Sequence, residues 1–331
     1  MSKKYVGVDI SKDDFEVAIP GSENADHFTT KKMKNNESGV QKFIGMAEPD
    51  WHVIVEATGV YSLLLSHELA DNGIAVSVIN PRSSSHFAKV INQSAKTDKK
   101  DAIGLSKYGS SIKPGVTVLP DEDYYSMKQK RLYIKHLQKS KQRLANVLHS
   151  LEIHPFQDES TLENIKKEIE ELDAKLKAKE QELQDFTKSI FDEQYELLTS
   201  IKGIGPKTAI VLIYATNGFQ NFVSVKQFTR FIGISPTVYQ SGSSVRHKGR
   251  MNRSGDPEVR RLLYIATWSA IRYNKACKKK YEELLGKGKP SMVALVAVMN
   301  KLVRQAFGVI QNGKKFDNDY EENLAKEKQA A

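Results

Sequence analysis

The order of the apolar runs in the first 80 residues constrains the fold most strongly. Short β-branched runs at 5–10 and 15–19 predict a strand hairpin, and a third strand is expected near 27–30. Two further strand-like runs, 53–57 and 74–79, alternate with segments of helical periodicity. Strand hairpins followed by alternating strands and helices indicate a mixed sheet with helices on its faces. We therefore predict an α/β domain over residues 1–118.

The middle of the chain, residues 119–195, changes to helical periodicity. Apolar residues recur at three- and four-residue spacing from Leu162 to Ile190, interrupted at Lys179, which makes about four heptads. One interpretation is a coiled coil, within one chain or between chains. The other is a long solvated helix packed on its own domain. We favour the coiled coil, and thus a linker or dimerisation region.

Positive charge is concentrated in the last third of the chain. Residues 196–318 read as a compact, mainly helical domain, followed by a polar tail at 319–331. The net charge is +10, and residues 241–315 hold 17 Lys and Arg against four Asp and Glu. Such an excess favours a polyanionic partner, because cationic side chains displace counterions from phosphates. A basic protein that never meets nucleic acid is the plainer alternative.

Several protein classes are disfavoured by what the sequence lacks. The single cysteine, Cys277, cannot build a disulfide framework or a zinc ribbon. The eight histidines form no metal-ligand spacing, and no Walker-type phosphate loop is present. We saw neither a signal peptide nor an apolar run of membrane-spanning length, so we expect a cytoplasmic protein without a membrane partner.

Four acids stand at the ends of predicted elements. Asp9 and Glu56 each end a strand, while Asp98 and Asp101 lie at the start of a helix. Taken singly, each acid is most simply a turn or helix-capping residue. Neighbouring strands and a helix start could nevertheless bring all four together, and such a cluster needs a cation to offset its repulsion. Hard oxygen ligands suit Mg²⁺ or Mn²⁺, and two such ions can assist cleavage of a phosphodiester.

A serine beside a glycine is the second candidate for chemistry. Ser241 opens the run Ser-Gly-Ser-Ser, which by itself is ordinary linker composition. Four cationic residues that could bind phosphate oxygens follow it: Arg246, Lys248, Arg250 and Arg253. An exposed hydroxyl among such groups could attack phosphorus and keep the bond energy in a phosphoserine ester for rejoining.

A third motif has the form of a helix-hairpin-helix turn. Gly203, Gly205 and Lys207 precede a predicted helix, and the backbone amides of such a turn can hold a DNA phosphate. A tight turn between two packed helices is the alternative. Arg260 and Arg261 lie downstream among aromatic residues that could stack on bases, although their helical spacing is more typical of a core.

The motifs, taken in order, resemble the Asp-Glu-Asp-Asp (DEDD) transposases of bacterial insertion sequences, of the IS110 type. The resemblance covers nearly the whole chain. In the first domain it rests on Gly7-Val8-Asp9-Ile10-Ser11-Lys12, Glu56-Ala57-Thr58-Gly59, Asn80-Pro81 and Lys96-Thr97-Asp98 with Asp101-Ala102. In the second it rests on Ile201-Lys202-Gly203-Ile204-Gly205, Phe231-Ile232-Gly233-Ile234, Pro236, Ser241-Gly242-Ser243-Ser244 and Arg260-Arg261 with Leu263.

The resemblance implies more than the spacing shows. It implies a first domain of the ribonuclease H and Holliday-junction resolvase (RuvC-like) fold, with Asp9, Glu56, Asp98 and Asp101 as the metal tetrad. It also implies that Ser241 is the covalent nucleophile and that a noncoding RNA from the element guides the enzyme to donor and target DNA.

The hypothesis from the sequence is therefore an RNA-guided DNA recombinase for transposition, associated with the nucleoid and assembled as a dimer or tetramer. One alternative is a structure-specific nuclease of the junction-resolvase type, which would need the four acids and not Ser241. The other is a nucleic-acid-binding protein without catalytic activity.

Overall fold

The computed structural model describes residues 3–21, 27–91, 97–220, 222–237, 240–241, 245–246, 250–252, 255–320 and 323. The chain forms two compact units, Met1–Leu119 and Pro120–Ala331. The first is a mixed α/β unit and the second is mainly helical, in agreement with the predicted fold class. The predicted division of the second unit into a linker, a C-terminal domain and a tail stays a prediction.

The first unit is built on a five-stranded sheet with the order β3-β2-β1-β4-β5. Strand β1 is antiparallel to β2 and parallel to β4, β2 is antiparallel to β3, and β4 is parallel to β5. The strands are β1 (Lys4–Ile10), β2 (Asp14–Pro20), β3 (Phe28–Lys34), β4 (Trp51–Glu56) and β5 (Ala75–Ile79). The helices are α1 (Glu37–Ile44), α2 (Leu63–Asp71), α3 (Pro81–Val90) and α4 (Asp98–Ile112), with a 3₁₀ turn at Gly59–Ser62 before α2.

Alternation along β1 divides the sheet into an apolar face and a face that carries polar groups. Val6, Val8 and Ile10 are buried in the larger core of this unit, together with Phe43 of α1 and Leu65 of α2. Successive strand residues point to opposite faces. The odd-numbered residues of β1 therefore lie on the other face, against α4.

Helix α4 packs unusually close to β1, at Gly7. A Cβ atom built on Gly7 would lie 2.0 Å from the carbonyl oxygen of Ala102 and 2.4 Å from the amide nitrogen of Ser106. The hydroxyl of Ser106 donates to the carbonyl oxygen of Tyr5 at 2.6 Å. Farther along the helix, Gly109 lies beside Tyr5. Helix α4 therefore runs antiparallel to β1, so its N-terminus lies toward the Asp9 end of the strand.

The second unit begins with a helical hairpin made of α5 (Glu122–Glu152) and α6 (Glu159–Ser200). Lys130 of α5 pairs with Glu182 of α6, and near the tip Lys166 of α6 lies 3.4 Å from Glu152 of α5, as an antiparallel pairing requires. Leu162, Leu176 and Leu183 of the heptad seam are buried, as are Met127, Ile134 and Leu137 of α5. The apolar seam is therefore covered within one chain and does not by itself indicate a dimer.

The remaining helices are α7 (Pro206–Thr216), α8 (Val225–Ile232), α9 (Pro257–Tyr273), α10 (Lys275–Gly286) and α11 (Ser291–Asn312). Helices α6, α8, α9 and α10 pack against the long C-terminal helix α11. Short strands lie between α8 and α9: β6 (Pro236–Thr237) pairs with β9 (Arg250–Met251), and β7 (Gln240–Ser241) pairs with β8 (Val245–Arg246).

Helix α11 is long and apolar enough to cross a membrane, by length and composition alone. Its Val298, Leu302 and Ala306 are nevertheless fully buried in the core of the second unit. A buried core helix passes the same test of length and apolarity, so we read α11 as the central helix of this unit.

Candidate functional site: a carboxylate row and a serine hairpin

Strand pairing places charged residues in one row across the sheet. Asp9 of β1 is paired with Glu16 of β2, which is paired with Lys32 of β3. On the other side of β1, Val8 is paired with Val55, so Asp9 lies beside Glu56 at the end of β4. Residues directly opposite each other on neighbouring strands project from the same face. We call Asp9, Glu16 and Glu56 the carboxylate row; it lies on the face covered by α4.

The other two predicted acids lie in the first turn of α4. Thr97 caps the helix by accepting a hydrogen bond from the amide of Lys100 at 3.3 Å. Asp98 is exposed and Asp101 is half-buried. Because α4 runs antiparallel to β1 across Gly7, its first turn lies at the Asp9 end of the strand. The structure therefore brings all four predicted acids to one end of the sheet.

Lys32 is influenced by charged groups of more than one element. The pKa of Lys32 is raised, chiefly because it donates a hydrogen bond to Asp14 and more weakly by the negative charges of Asp98 and Glu16. Asp98 of α4 and Glu16 of β2 thus act on the same ammonium group. This coupling agrees with a first turn of α4 that lies above the carboxylate row.

The carboxyl groups do not converge on a single point. Among the residues that the structure describes, no group of three or more His, Cys, Asp or Glu side chains is arranged to hold a metal ion. The carboxylate of Glu56 instead accepts a hydrogen bond from the hydroxyl of Ser84 in α3. The backbone thus places the predicted tetrad at one end of the sheet, and the side chains do not form one coordination sphere.

Glu16 is an acid of this site that sequence reasoning missed. Its side chain is only 3% exposed, and its Oε1 atom has no hydrogen-bond partner among the described residues. The signal was present in the hairpin: a turn from Ser11 to Asp14, closed by the hydroxyl of Ser11, pairs residue 10 with 15 and residue 9 with 16. Counting back from this turn would have placed Glu16 beside Asp9.

The predicted nucleophile lies in a short antiparallel hairpin of the second unit. Ser241 is paired with Val245, and Gln240 with Arg246, so Ser241 stands next to the connection between the two strands. Arg250 begins the neighbouring strand β9. For Ser241, Arg246 and Arg250 the structure describes the backbone alone, and Lys248 and Arg253 lie outside the described residues. The role of this loop therefore stays a prediction.

The predicted helix-hairpin-helix turn connects α6 to α7. Gly203 has a positive φ of 111°, and a Cβ atom there would lie 2.7 Å from the Cβ of Ala270, so both backbone shape and packing require glycine. Gly205 caps α7 and has open space around it. The Nζ atom of Lys207 lies 2.7 Å from the carboxylate of Glu180, although the lysine is largely exposed. The start of α7, Gly205 to Lys207, is thus exposed.

The two arginines of α9 have different environments. The guanidinium of Arg260 donates to the carbonyl oxygens of Ile232 and Gly255, which gives it a structural role in holding the loop before α9. Arg261 is exposed. Its contact with nucleic acid stays a prediction, as does that of Arg260.

Helix α9 also exposes aromatic residues that we expected to lie in the core. Trp268 is 47% exposed and Tyr273 is 65% exposed. Trp268 makes an edge contact with the partly buried Tyr264, with 6.3 Å between ring centroids. Residues 261, 268 and 272 follow seven- and four-residue spacing and share one face of the helix. Trp268 therefore lies on the surface between Arg261 and Arg272.

Both units match models of one class of protein, the transposases. Residues 6–152 match a family model described as a transposase of the DEDD type of IS110. Residues 195–282 match a second model, described as the transposase IS116/IS110/IS902 family. The two models cover different parts of the chain in the expected order. Over these two segments the chain is therefore similar to IS110-family transposases.

The chain is also similar to three relatives over most of their length. The chain is 27% identical over 328 residues to the pilin gene-inverting protein of Moraxella bovis, which covers 96% of this chain and 98% of that protein. The pilin gene-inverting protein of Moraxella lacunata is equally similar over the same lengths. The transposase for insertion sequence element IS1533 of Leptospira borgpetersenii is 25% identical over 307 residues, or 80% of this chain and 85% of that protein.

Proposed function

We propose that this protein is a DNA transposase that cleaves and rejoins DNA strands with a divalent metal held by Asp9, Glu56, Asp98 and Asp101. The observation that carries this proposal is the placement of all four acids at one end of the sheet by the β1–β4 pairing and the direction of α4. We also propose that the first unit has the ribonuclease H and resolvase-like fold implied by the resemblance, in keeping with its sheet order.

The donor set suits Mg²⁺ or Mn²⁺. Carboxylate oxygens are hard ligands, which these ions prefer over the softer ions that select His or Cys. Oε1 of the buried Glu16, next to Asp9, has no hydrogen-bond partner among the described residues. This further indicates that positive charge is needed at this surface. A bound divalent ion would stabilise the negative charge that develops on the phosphate oxygens. The four acids would hold the ion, and Ser84 orients the carboxylate of Glu56.

Ser241 is the proposed nucleophile of strand exchange. Its hydroxyl oxygen would attack phosphorus and form a phosphoserine ester, while the bond to one deoxyribose oxygen breaks and that oxygen takes up a proton. The cations Arg246, Lys248, Arg250 and Arg253 would bind the phosphate oxygens. A strand hairpin suits this role because it presents Ser241 next to the connection between β7 and β8.

The decisive experiment uses a labelled suicide DNA substrate and denaturing gels. We expect the wild-type protein to form a covalent protein–DNA adduct, and we expect none from Ser241→Ala. Asp9→Asn should remain folded and lose strand cleavage. Cleavage without an adduct in both wild type and Ser241→Ala would favour the resolvase-type nuclease, which the family matches do not favour. An adduct that persists in Ser241→Ala would move the nucleophile to another hydroxyl.

The basic C-terminal region does not by itself account for the choice of DNA sequence. Phosphate contacts by the basic C-terminal region position nucleic acid without reading its sequence. The exposed Gly205, the cation Lys207 and the exposed Trp268 of α9 would extend such a surface. We propose that a noncoding RNA pairs with donor and target DNA and supplies the specificity. Sequencing the RNA that co-purifies with the protein tests this, and random cellular fragments alone would contradict it.

DNA inversion is a second candidate outcome, because the two Moraxella relatives, which are matched over nearly their whole length, are named as pilin gene-inverting proteins. The same strand exchange gives insertion or inversion, depending on the arrangement of the recombining sites. A plasmid with two sites in inverted orientation scores inversion, and a donor plasmid mixed with a separate target plasmid scores insertion, so the product that accumulates separates the two outcomes.

We further propose a cytoplasmic, nucleoid-associated homo-oligomer, a dimer or tetramer, in which one chain contributes the acids and another the serine. Mixing Asp9→Asn chains with Ser241→Ala chains tests this arrangement. Sites shared between chains would restore part of the strand cleavage after subunit exchange. A mixture as inactive as either parent would place both groups of a site in the same chain.

A further inference from the structure

We propose that Glu16 is a fifth acid of the metal site, and that its buried carboxylate acts on the divalent cation together with Asp9. This inference rests on the proposed function, because it assigns a further residue to the same site. The family resemblance attributes no role to Glu16. Three properties of Glu16 support this role: its strand register, the burial of its side chain and the balance of charge around it.

The register makes Glu16 the nearest acid to Asp9 on the neighbouring strand. The two residues are direct partners in the β1–β2 pairing, so their side chains leave the same face of the sheet. Like charges directly opposite each other in a pair of strands destabilise the sheet. On the far side of β1 lies Glu56, which adds a third negative charge to the row.

Burial makes the position of Glu16 costly unless a cation is near. At 3% exposure the carboxylate has almost no contact with water, and its Oε1 atom has no hydrogen-bond partner among the described residues. A buried carboxylate is normally paired, hydrogen-bonded or bound to a metal. By contrast, Asp14 lies two residues earlier on the same strand face, and its carboxylate is bonded to Lys32 and to the hydroxyl of Ser11.

Lys32 is the competing partner for Glu16. It stands opposite Glu16 on β3, and the negative charge of Glu16 contributes to the raised pKa of its ammonium. Its Nζ atom, however, lies 3.0 Å from Oδ2 of Asp14, and its side chain is 56% exposed. Lys32 thus offsets part of the negative charge of the carboxylate row from the edge of that row. It leaves Oε1 of Glu16 without a hydrogen-bond donor among the described residues.

The test measures Mn²⁺ binding to the full-length protein by electron paramagnetic resonance, with the thermal midpoint followed with and without Mn²⁺. Glu16→Gln keeps the shape of the side chain and removes its charge. We expect Mn²⁺ affinity to fall by about 10–100-fold. The metal-free midpoint should stay level or rise, because one charge of a repelling row is removed. Glu16→Asp, which keeps the charge, should retain more affinity than Glu16→Gln.

Two controls separate the possible failures. Glu37→Gln removes an exposed acid of α1, which packs on the opposite face of the sheet, and should leave Mn²⁺ affinity within about twofold of wild type, as expected for a residue outside the metal site. Asp9→Asn should abolish high-affinity binding. Loss of binding in Asp9→Asn with wild-type affinity in Glu16→Gln would overturn the role of Glu16 and leave the proposed function intact. A wild-type protein that takes up no Mn²⁺, or an Asp9→Asn variant that binds normally, would overturn the metal site itself.

Discussion

Replacing Gly7 by alanine tests whether the close approach of α4 to the sheet positions the acids. The added Cβ would lie 2.0 Å from a carbonyl oxygen of α4, whereas ordinary contact begins at 3.4 Å, so the helix must move by about 1.4 Å. Both clashing atoms, the oxygen of Ala102 and the nitrogen of Ser106, belong to the backbone and cannot rotate away. We expect a loss of unfolding free energy of about 3 kcal/mol, the upper end of the usual cost of overpacking.

The same shift should impair catalysis more than binding. Helix α4 carries Asp98 and Asp101, and misplacement of a catalytic group by about 1 Å can lower a rate by about 100-fold. Strand cleavage should therefore fall by about that factor at a temperature where the variant is still folded. Binding of a labelled DNA duplex, which we assign to the basic second unit, should change little.

The stability assay uses the single tryptophan of the first unit. Trp51 is buried in β4, and a Trp268→Phe background removes the only other tryptophan, so urea unfolding followed by fluorescence reports on the first unit. Gly115→Ala is the matched control. A Cβ there meets nothing within 4 Å, so stability should stay within about 0.5 kcal/mol of the parent. A Gly7→Ala variant as stable and as active as that control would refute the close approach and the site built on it.

Three further predictions concern the second unit. Burial raises the pKa of the Cys277 thiol to about 12. The native protein should therefore resist iodoacetamide at pH 8 and react only after unfolding. Rapid alkylation of the native state would contradict the burial. Glu258→Gln should destabilise this unit by about 3–5 kcal/mol in urea unfolding, because it leaves the buried guanidinium of Arg131 without its carboxylate. An unchanged midpoint would show that this ion pair is dispensable for stability. The exposed ring of Trp268 is expected to stack on a base of single-stranded nucleic acid. Trp268→Ala should therefore weaken binding by about 1–3 kcal/mol, measured by fluorescence anisotropy. Trp268→Phe keeps an aromatic ring and should keep most of the affinity.

The strands and helices of the first unit could be predicted from the sequence because each follows a local period. The β-branched run of β1 and the apolar run of β4 appear within one or two residues of their predicted bounds. Asp9 and Glu56 could be named as strand-end acids for the same reason. Alternation with a period of two also determines which of their neighbours face the core.

The heptad pattern of α6 shows what periodicity leaves open. A seam of apolar residues requires a partner surface and does not specify which one. In the structure the partner is α5 of the same chain, as the burial of Leu176 and Leu183 together with Ile134 and Leu137 shows. Such a choice depends on the loop between the helices and on charge pairs such as Lys130–Glu182, which only the folded hairpin brings together.

Residue type and helical spacing also could not distinguish a core residue from a surface residue on α9. Arg260 is bonded to two backbone carbonyls of the loop before its helix, while the adjacent Arg261 is exposed. Trp268 has the spacing of a core residue and lies on the surface. A step of one residue rotates the side chain by about 100° around the helix, so the docking of α9 against its neighbours decides which side chain is buried.

The candidate site shows most clearly what the local sequence determines and what tertiary structure determines. The sequence by itself determined which acids end the strands, which residues open α4 and where a glycine-flanked serine stands, because each of these is a local property of the chain. The turn from Ser11 to Asp14 also pairs Glu16 with Asp9 locally. Tertiary structure decided that Glu16 is buried, on the face that α4 covers and where Gly7 permits a backbone contact. That burial is a relation between segments that meet only after folding, so it depends on helix docking rather than on local pattern.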